Sequence, residues 1–296
     1  MKKVITRLKG GLGNQLFCYA AARRLAIVND AELVLDDVTG FVRDHLYQRQ
    51  YALAQFCIPA RNATPWERLA PFERYRRGVI KWVSKRKCFG QGRYLEQEGI
   101  EFDPRLLSVK VKGTLFLDGL WQSEGYFKDV EATIREDLRM VPPKDAVNQG
   151  LAENISNCQA VALHVRWFDS PEGGGDGYNV SADYYQRAID LMETRLDSPC
   201  YYLFSDDPDA ACENLDLPQG RRVTVVGHNR GEQNAWADLW LMTQCSHYII
   251  ANSTFSWWGA WLGENPDKII VTPKFEAVGK AAWGFEGLIP HGWLVI

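Results

Sequence analysis

The chain of 296 residues has no apolar run approaching the roughly 20 residues of a membrane-spanning helix. Its first ten residues, Met1 to Gly10, hold no apolar core of signal-peptide length. These two absences predict a cytoplasmic protein with no integral membrane segment. There is no basic excess either: 34 Lys and Arg stand against 37 Asp and Glu, a formal charge of −3, which removes the footprint of a nucleic-acid binder. No C-x-x-C pair occurs. The seven cysteines (Cys18, Cys57, Cys88, Cys158, Cys200, Cys212, Cys245) are odd in number and scattered, as free thiols of a reducing compartment are, and as disulfide frameworks and zinc sites are not. With 25 Gly and 13 Pro, collagen-like and low-complexity classes are also excluded.

What remains is a globular chain long enough for one large or two medium domains. Tryptophan is plentiful, and seven of the 11 lie after residue 230. Residues 3–8 read as a strand entering Gly10-Gly11-Leu12-Gly13-Asn14-Gln15, and the alanine-rich run Leu16 to Ile27 reads as a helix. Leu33 to Leu35 is a second buried strand, so the chain opens as a β-α-β unit. Between residues 61 and 90, nine Arg and Lys meet only Glu67 and Glu73, a local charge of +7 that reads as a solvated helical face or an anion-docking surface. Pro142-Pro143 marks a linker, dividing an N-terminal domain (1–143) from a C-terminal one (144–296). Beyond it, strands over 159–165, 201–204, 222–226, 248–251 and 268–271 alternate with helices over 182–194, 233–244 and 255–263. The expected architecture is α/β: two Rossmann-like domains facing across a cleft.

Four constellations carry chemistry. Gly11-Leu12-Gly13 at a strand-to-helix turn exposes backbone N–H groups to an anion, with Asn14 and Gln15 adding two amides. The third glycine of a dinucleotide fingerprint is replaced by Leu16, although Asp36 stands where a ribose-binding acid would. His164-Val165-Arg166-Trp167-Phe168-Asp169 ends a strand, where Arg166 can grip a diphosphate; an internal Arg–Asp pair with a core histidine is the alternative. Phe204-Ser205-Asp206-Asp207-Pro208-Asp209 contains a D-x-D spacing, but an Asx turn opening a helix accounts for it better than a metal site. Finally, Asp238 can accept two donors of a guanine edge, and Asn252-Ser253-Thr254 forms a second anion nest before a helix. Trp257, Trp258 and Trp261 read as packing residues, whereas Trp121 and Trp167 are candidates to stack on a sugar.

Together with Gly119 to Phe127 and the run Ala251 to Leu262, these segments resemble the bacterial α-1,2-fucosyltransferases of glycosyltransferase family 11, in family order from residue 10 to 262. One departure is Trp167, where the family usually carries a second arginine after Arg166. The resemblance implies a GT-B-like fold and inverting, metal-independent transfer of L-fucose from GDP-β-L-fucose to O2 of a galactose-terminated oligosaccharide. GDP-fucose would be a substrate, with no cofactor. Arg166, Asp169, Asn14 and Glu124 would be catalytic, with Asp169 and then Glu124 as base. Gly11, Leu12, Gly13, Gln15, His164, Phe204, Ser205, Asp206, Asp238, Asn252, Ser253, Thr254, Phe255 and Ser256 would hold the donor, His164 assisting Asp238 at guanine. Such an enzyme would work on glycan precursors inside a bacterial cell, in the cytoplasm or peripherally at the inner face of the membrane. An NAD(P)-dependent oxidoreductase resting on Gly11, Gly13 and Asp36, and a GDP-sugar-binding protein with weakened catalysis, are the competing readings.

Overall fold

The computed structural model describes residues 1–45, 47–167, 179–218, 222–274 and 283–296. It divides into two compact units, Met1–Val141 with Phe285–Leu288, and Pro142–Gly284 with Ile289–Ile296.

The first unit runs β1 (Lys3–Arg7), α1 (Leu12–Val28), β2 (Glu32–Asp36), β3 (Arg61–Asn62), α2 (Glu73–Ser84), β4 (Tyr94–Glu96), β5 (Thr114–Asp118) and α3 (Glu131–Asp137). Its sheet has the order β3-β2-β1-β5-β4, every ladder parallel. Val4, Ile5, Val34, Leu35, Leu115 and Leu117 are buried, as central strands of a sheet covered on both faces require. Helix α1 begins at Leu12, four residues before the sequence places it. Gly11 is extended, and its carbonyl accepts the first helical bond from the Gln15 N–H at 3.1 Å. Gly10 makes the bend at φ +73°, where a Cβ would also stand 2.6 Å from the Asn14 amide nitrogen.

The second unit runs α4 (Ala146–Ser156), β6 (Ala160–Val165), α5 (Ala182–Arg195), β7 (Cys200–Ser205), α6 (Pro208–Asn214), β8 (Val223–Val226), α7 (Ala235–Gln244), β9 (His247–Ile249), α8 (Thr254–Leu262), β10 (Ile270–Thr272) and β11 (Leu294–Val295). Its all-parallel sheet has the order β11-β10-β9-β6-β7-β8. Read from the other edge, that is the Rossmann order, with its reversal between β6 and β9. Every residue of β6 is buried. Val161, Leu163 and Val165 pack with Tyr185, Ala188 and Met192 of α5. In α8, Trp257, Trp258 and Trp261 are buried and meet ring to ring, Trp258 edge-on to Trp257 and Trp261 at centroid distances of 5.0 and 5.2 Å. Gly259 lets α7 approach α8, since a Cβ there would lie 2.9 Å from the Met242 methyl. The tryptophan surplus is therefore largely core, with each ring stack adding roughly 0.5–1.5 kcal/mol beyond the area it buries.

Candidate active site

In parallel α/β sheets the chain reversal leaves a crevice beyond the carboxyl ends of the two central strands. In the second unit those ends are the residues after β6 and β9. His164 lies among the last residues of β6 and Arg166 directly follows the strand, while Asn252 to Ser256 follow β9. The Arg166 guanidinium pairs with Asp206, just past β7, at 3.1 Å, and the other Asp206 oxygen accepts the Trp167 N–H at 3.0 Å. His164 is buried and its ring lies 5.5 Å from that of Phe255. Burial, with the neighbouring charge of Arg166, lowers its pKa to about 3, so the imidazole is neutral at physiological pH. Its Nδ1 has no hydrogen-bond partner among the described residues. Ser253 is the N-cap of α8, accepting from the Phe255 N–H, and the Ser256 hydroxyl donates back to the Ser253 carbonyl at 3.2 Å. Thr254 opens the helix, and Asn252 is buried beside it. Arg166, His164, Asp206 and the Ser253–Ser256 turn thus share one end of one sheet.

Asp238 lies in the first turn of α7, which packs on α8. Its Oδ1 accepts from the Asn229 amide at 2.9 Å, and Asn229 is held in turn by Asn148, whose Oδ1 lies 3.1 Å from His228 Nε2. Among the described residues no donor reaches Oδ2. Desolvation raises the carboxyl to about 6, against the opposing Asn229 hydrogen bond. No hydrogen bond joins Asp238 to His164 among the described residues.

Some expected ligand contacts are taken up by the fold, whereas the Asx turn opening a helix at Asp207 is as the sequence reads. Phe204 is buried in β7, in register with His164 of β6 and on the same face of the sheet. Ser205 and Asp207 form the helix entry: the Ser205 hydroxyl accepts the Asp207 N–H, and Asp207 caps α6 through the Ala210 N–H at 3.1 Å. Among the described residues no group of three or more His, Cys, Asp and Glu could hold a metal ion. Trp167 packs against the apolar cluster below β6. Asp169 and Phe168 lie outside the described residues.

In the first unit the corresponding reversal lies between β1 and β5, and the two motifs there are the Gly10–Gln15 turn and the segment from Gly119. Gln122 bridges them, its amide donating to Asn14 Oδ1 at 2.8 Å. Gly11 and Gly13 keep backbone at this turn, with Leu12 buried beneath. The Arg49 guanidinium covers Gly11, 3.4 Å from where a Cβ would be. Gln15 is spent on architecture: its amide donates to the Gly10 and Gln50 carbonyls and accepts from the Ala52 N–H, pinning a loop to the turn. Glu124 opens a 3₁₀ turn capped by Ser123 and pairs with Lys128 at 2.9 Å. Trp121, expected to face a sugar, is fully buried edge-on to Tyr126. It adopts φ +53°, a conformation costing a bulky residue roughly 1–3 kcal/mol. The Gln97 side chain holds it there by accepting the N–H groups of both Leu120 and Trp121.

The sequence reading missed a cavity of about 230 Å³ at this strand end, lined by Lys9, Glu96, Gln97, Asp118, Leu120 and Gln122 among others. Asp118 accepts from Arg7, Lys9 and the Tyr94 hydroxyl. Burial pushes its carboxyl up, but the charge of Lys9, the Tyr94 hydrogen bond and Arg7 more than offset this and hold it at about 2. The signal available was a strand ending in Asp directly before the Gly119 motif. Asp36, which lent weight to the oxidoreductase reading, is consumed by the Thr39 N–H and hydroxyl and by Arg77 at 3.1 Å. It has no capacity left for a ribose.

Two Rossmann-like sheets, one with a cationic strand end beside a capped helix, are the architecture expected of a GT-B-like glycosyltransferase. Residues 3–280 match the model described as Glycosyl transferase family 11, and the chain belongs to that family. It is 33% identical over 300 residues to the O-antigen biosynthesis glycosyltransferase WbnK of Escherichia coli, across 90% of this chain and 92% of that protein. It is 28% identical over 291 residues to the Alpha-1,2-colitosyltransferase of Escherichia coli, across 93% of each. The crystal structure of NodZ alpha-1,6-fucosyltransferase soaked with GDP-fucose superposes with a TM-score of 0.54 at 18% identity, over 88% of this chain and 92% of that one, a likeness of fold.

Proposed function

We propose that the chain is a galactoside 2-α-L-fucosyltransferase, moving L-fucose from GDP-β-L-fucose to O2 of a terminal galactose with inversion and without a metal ion. The observation that carries this reading is the single strand end that gathers Arg166, neutral His164 and the Ser253-capped helix α8. As GDP departs, negative charge builds on the β-phosphate while the fucosyl ring becomes oxocarbenium-like. Arg166 and the first-turn N–H groups of α8 neutralise that charge, and a neutral His164 adds a hydrogen bond without competing for the phosphate. Asp238 receives guanine, its open Oδ2 and the remaining lone pairs of Oδ1 matching the N1–H and exocyclic amine. The cavity beside Asp118 and Gln122 in the first unit takes the acceptor galactoside. Asp118, held at about 2, is an acceptor of sugar hydroxyls and a poor proton acceptor. The base is Asp169 or Glu124, and pH–rate profiles of Asp169→Asn and Glu124→Gln decide between them.

A second donor is favoured by one relative's name, which specifies α-1,2 transfer of colitose. Colitose is L-fucose without its 3-hydroxyl, so phosphate and guanine contacts are indifferent to the exchange. The test is incubation with lactose and either GDP-fucose or GDP-colitose, with and without EDTA, followed by NMR assignment of the linkage. A 2-O-fucosyl product formed equally in EDTA is expected. No transfer, linkage to another hydroxyl, or loss of activity restored by a divalent cation would each remove the corresponding part of the proposal.

A further inference from the structure

The nine cations of residues 61–90 do not form one solvated face. The structure neutralises five of them within the first unit: Arg61 on Glu32 and Glu67, Arg68 on Asp37, Arg77 on Asp36, and Lys81 and Lys85 on Glu96. The other four, Arg74, Arg76, Arg86 and Lys87, form no ion pair among the described residues. Two of the four stand over exposed aromatic rings. Arg76 lies 5.5 Å over Trp66, and Arg86 lies 3.1 Å over Trp82.

Helix α2 is amphipathic in the inverted sense. Ile80, Ser84, Arg77 and Lys81 turn toward the unit, Ile80 against its core and the two cations onto Asp36 and Glu96. At about 100° per residue, positions 75, 79, 82 and 83 of α2 fall within roughly 100° of one another on the opposite side, with Phe72 and Arg86 flanking the helix ends. There Phe72 is 76% exposed, Tyr75 75% and Trp82 60%, with Val79 and Val83 between them and Trp66 (71%) alongside. Single exposed apolar residues are ordinary, but a contiguous stripe of aromatics marks an interaction surface.

We infer that this face docks the chain onto an anionic phospholipid surface. Tryptophan and tyrosine favour the boundary between headgroups and acyl chains, and long cationic side chains reach from there to lipid phosphates. A neutral apolar groove on a protein would bury the four cations without counterions, whereas an anionic bilayer supplies a phosphate for each. Glu73, the acidic residue of α2, lies on the inward side of the helix. The inference uses none of the donor chemistry, so it stands or falls independently of the transfer reaction.

The test uses the full chain with two kinds of vesicle, phosphatidylcholine alone and an equal mixture with phosphatidylglycerol, read by flotation. Binding to the anionic vesicles at low salt is expected, with loss at high salt and little binding to the neutral ones. Acyl chains brominated near the headgroup should quench tryptophan fluorescence in the bound state. Each cation near such a surface contributes about fivefold, so Arg74→Glu with Lys87→Glu should lower the partition about 100-fold or more. Trp82→Ser with Trp66→Ser should remove most of the quenching. All four sites are on the surface, and an unchanged thermal midpoint checks that the variants are folded. Failure of the wild-type chain to bind anionic vesicles, or binding that ignores salt and both variant pairs, overturns the inference. A wild-type dimer that the aromatic substitutions dissociate, without vesicle binding, would assign the face to a second copy of the chain and overturn it equally.

Discussion

Asp238 offers a test in which binding and stability move in opposite directions. Its carboxyl is raised from 3.8 to about 6 by burial. A carboxyl with a higher pKa in the folded state than in the unfolded one binds more protons when folded, so stability falls as pH rises between the two values. At pH 8 the charged, desolvated carboxylate costs on the order of 3 kcal/mol, whereas at pH 4, close to the ordinary carboxyl value, the cost falls well below about 1 kcal/mol. Asp238→Asn keeps the shape and removes the charge. It should therefore stabilise the nucleotide-free chain by about 1–3 kcal/mol at pH 8, the lower end reflecting partial solvent access, and scarcely at all at pH 4. The same variant should lose the preference for GDP over ADP, because an amide presents a donor where the guanine edge needs acceptors. Thermal melts with and without each nucleotide, at the two pH values, measure both effects. A variant no more stable than the parent at pH 8, or stabilised equally at pH 4, would refute the electrostatic account. Retained GDP preference would refute the guanine assignment.

Arg166→Ala should lower turnover by about 10²–10³ while leaving the thermal midpoint near that of the parent, because the ion pair to Asp206 is partly solvated. Steady-state kinetics with GDP-fucose measure it, and near-normal turnover would sink the phosphate role. Asp118 predicts the opposite pH sign from Asp238. Its depressed carboxyl contributes stability above the ordinary value of 3.8 that is lost as pH falls through about 2. Asp118→Asn should cost about 2–3 kcal/mol, below the figure for a fully buried pair since Arg7 and Lys9 keep 27% and 33% exposure. Urea midpoints read this out, and a neutral substitution would mean that the strand-end network is not structural.

The order of strands and helices in the second unit was legible because buried parallel strands are short apolar runs separated by helical periodicity. The alternation over residues 159–271 left little freedom. The strand ends were legible for the same reason, since Arg166 and Asn252 follow apolar runs directly. What escaped was whatever depends on partners distant in sequence. Gln15 and Trp121 have the chemistry of ligand contacts, but Gln15 is claimed by the carbonyls of Gly10 and Gln50, and the Trp121 ring by the core. Asp36 resembled a ribose ligand until Arg77, 41 positions on, was found paired with it. The strands β3 and β4, of two and three residues, carry too short a pattern to be read. In α2, moreover, the hydrophobic stripe is clear in the sequence, yet only the ion pairs of Arg77 and Lys81 reveal that it points outward.

The return of Phe285–Leu288 to the first unit has a consequence for how the protein comes apart. The Phe102 N–H donates to the Glu286 carbonyl at 3.1 Å, Leu288 is fully buried, and Gly287 fits beneath Phe102 and Ser123, under the turn that carries Glu124. The backbone therefore passes between the units three times, after Val141, Gly284 and Leu288. A protein cut at Pro142 would leave the first unit lacking a piece of its own interior. Melting of the second unit would likewise pull on the segment that props the Glu124 turn. A fragment ending at residue 141 is therefore a damaged unit, not an isolated domain.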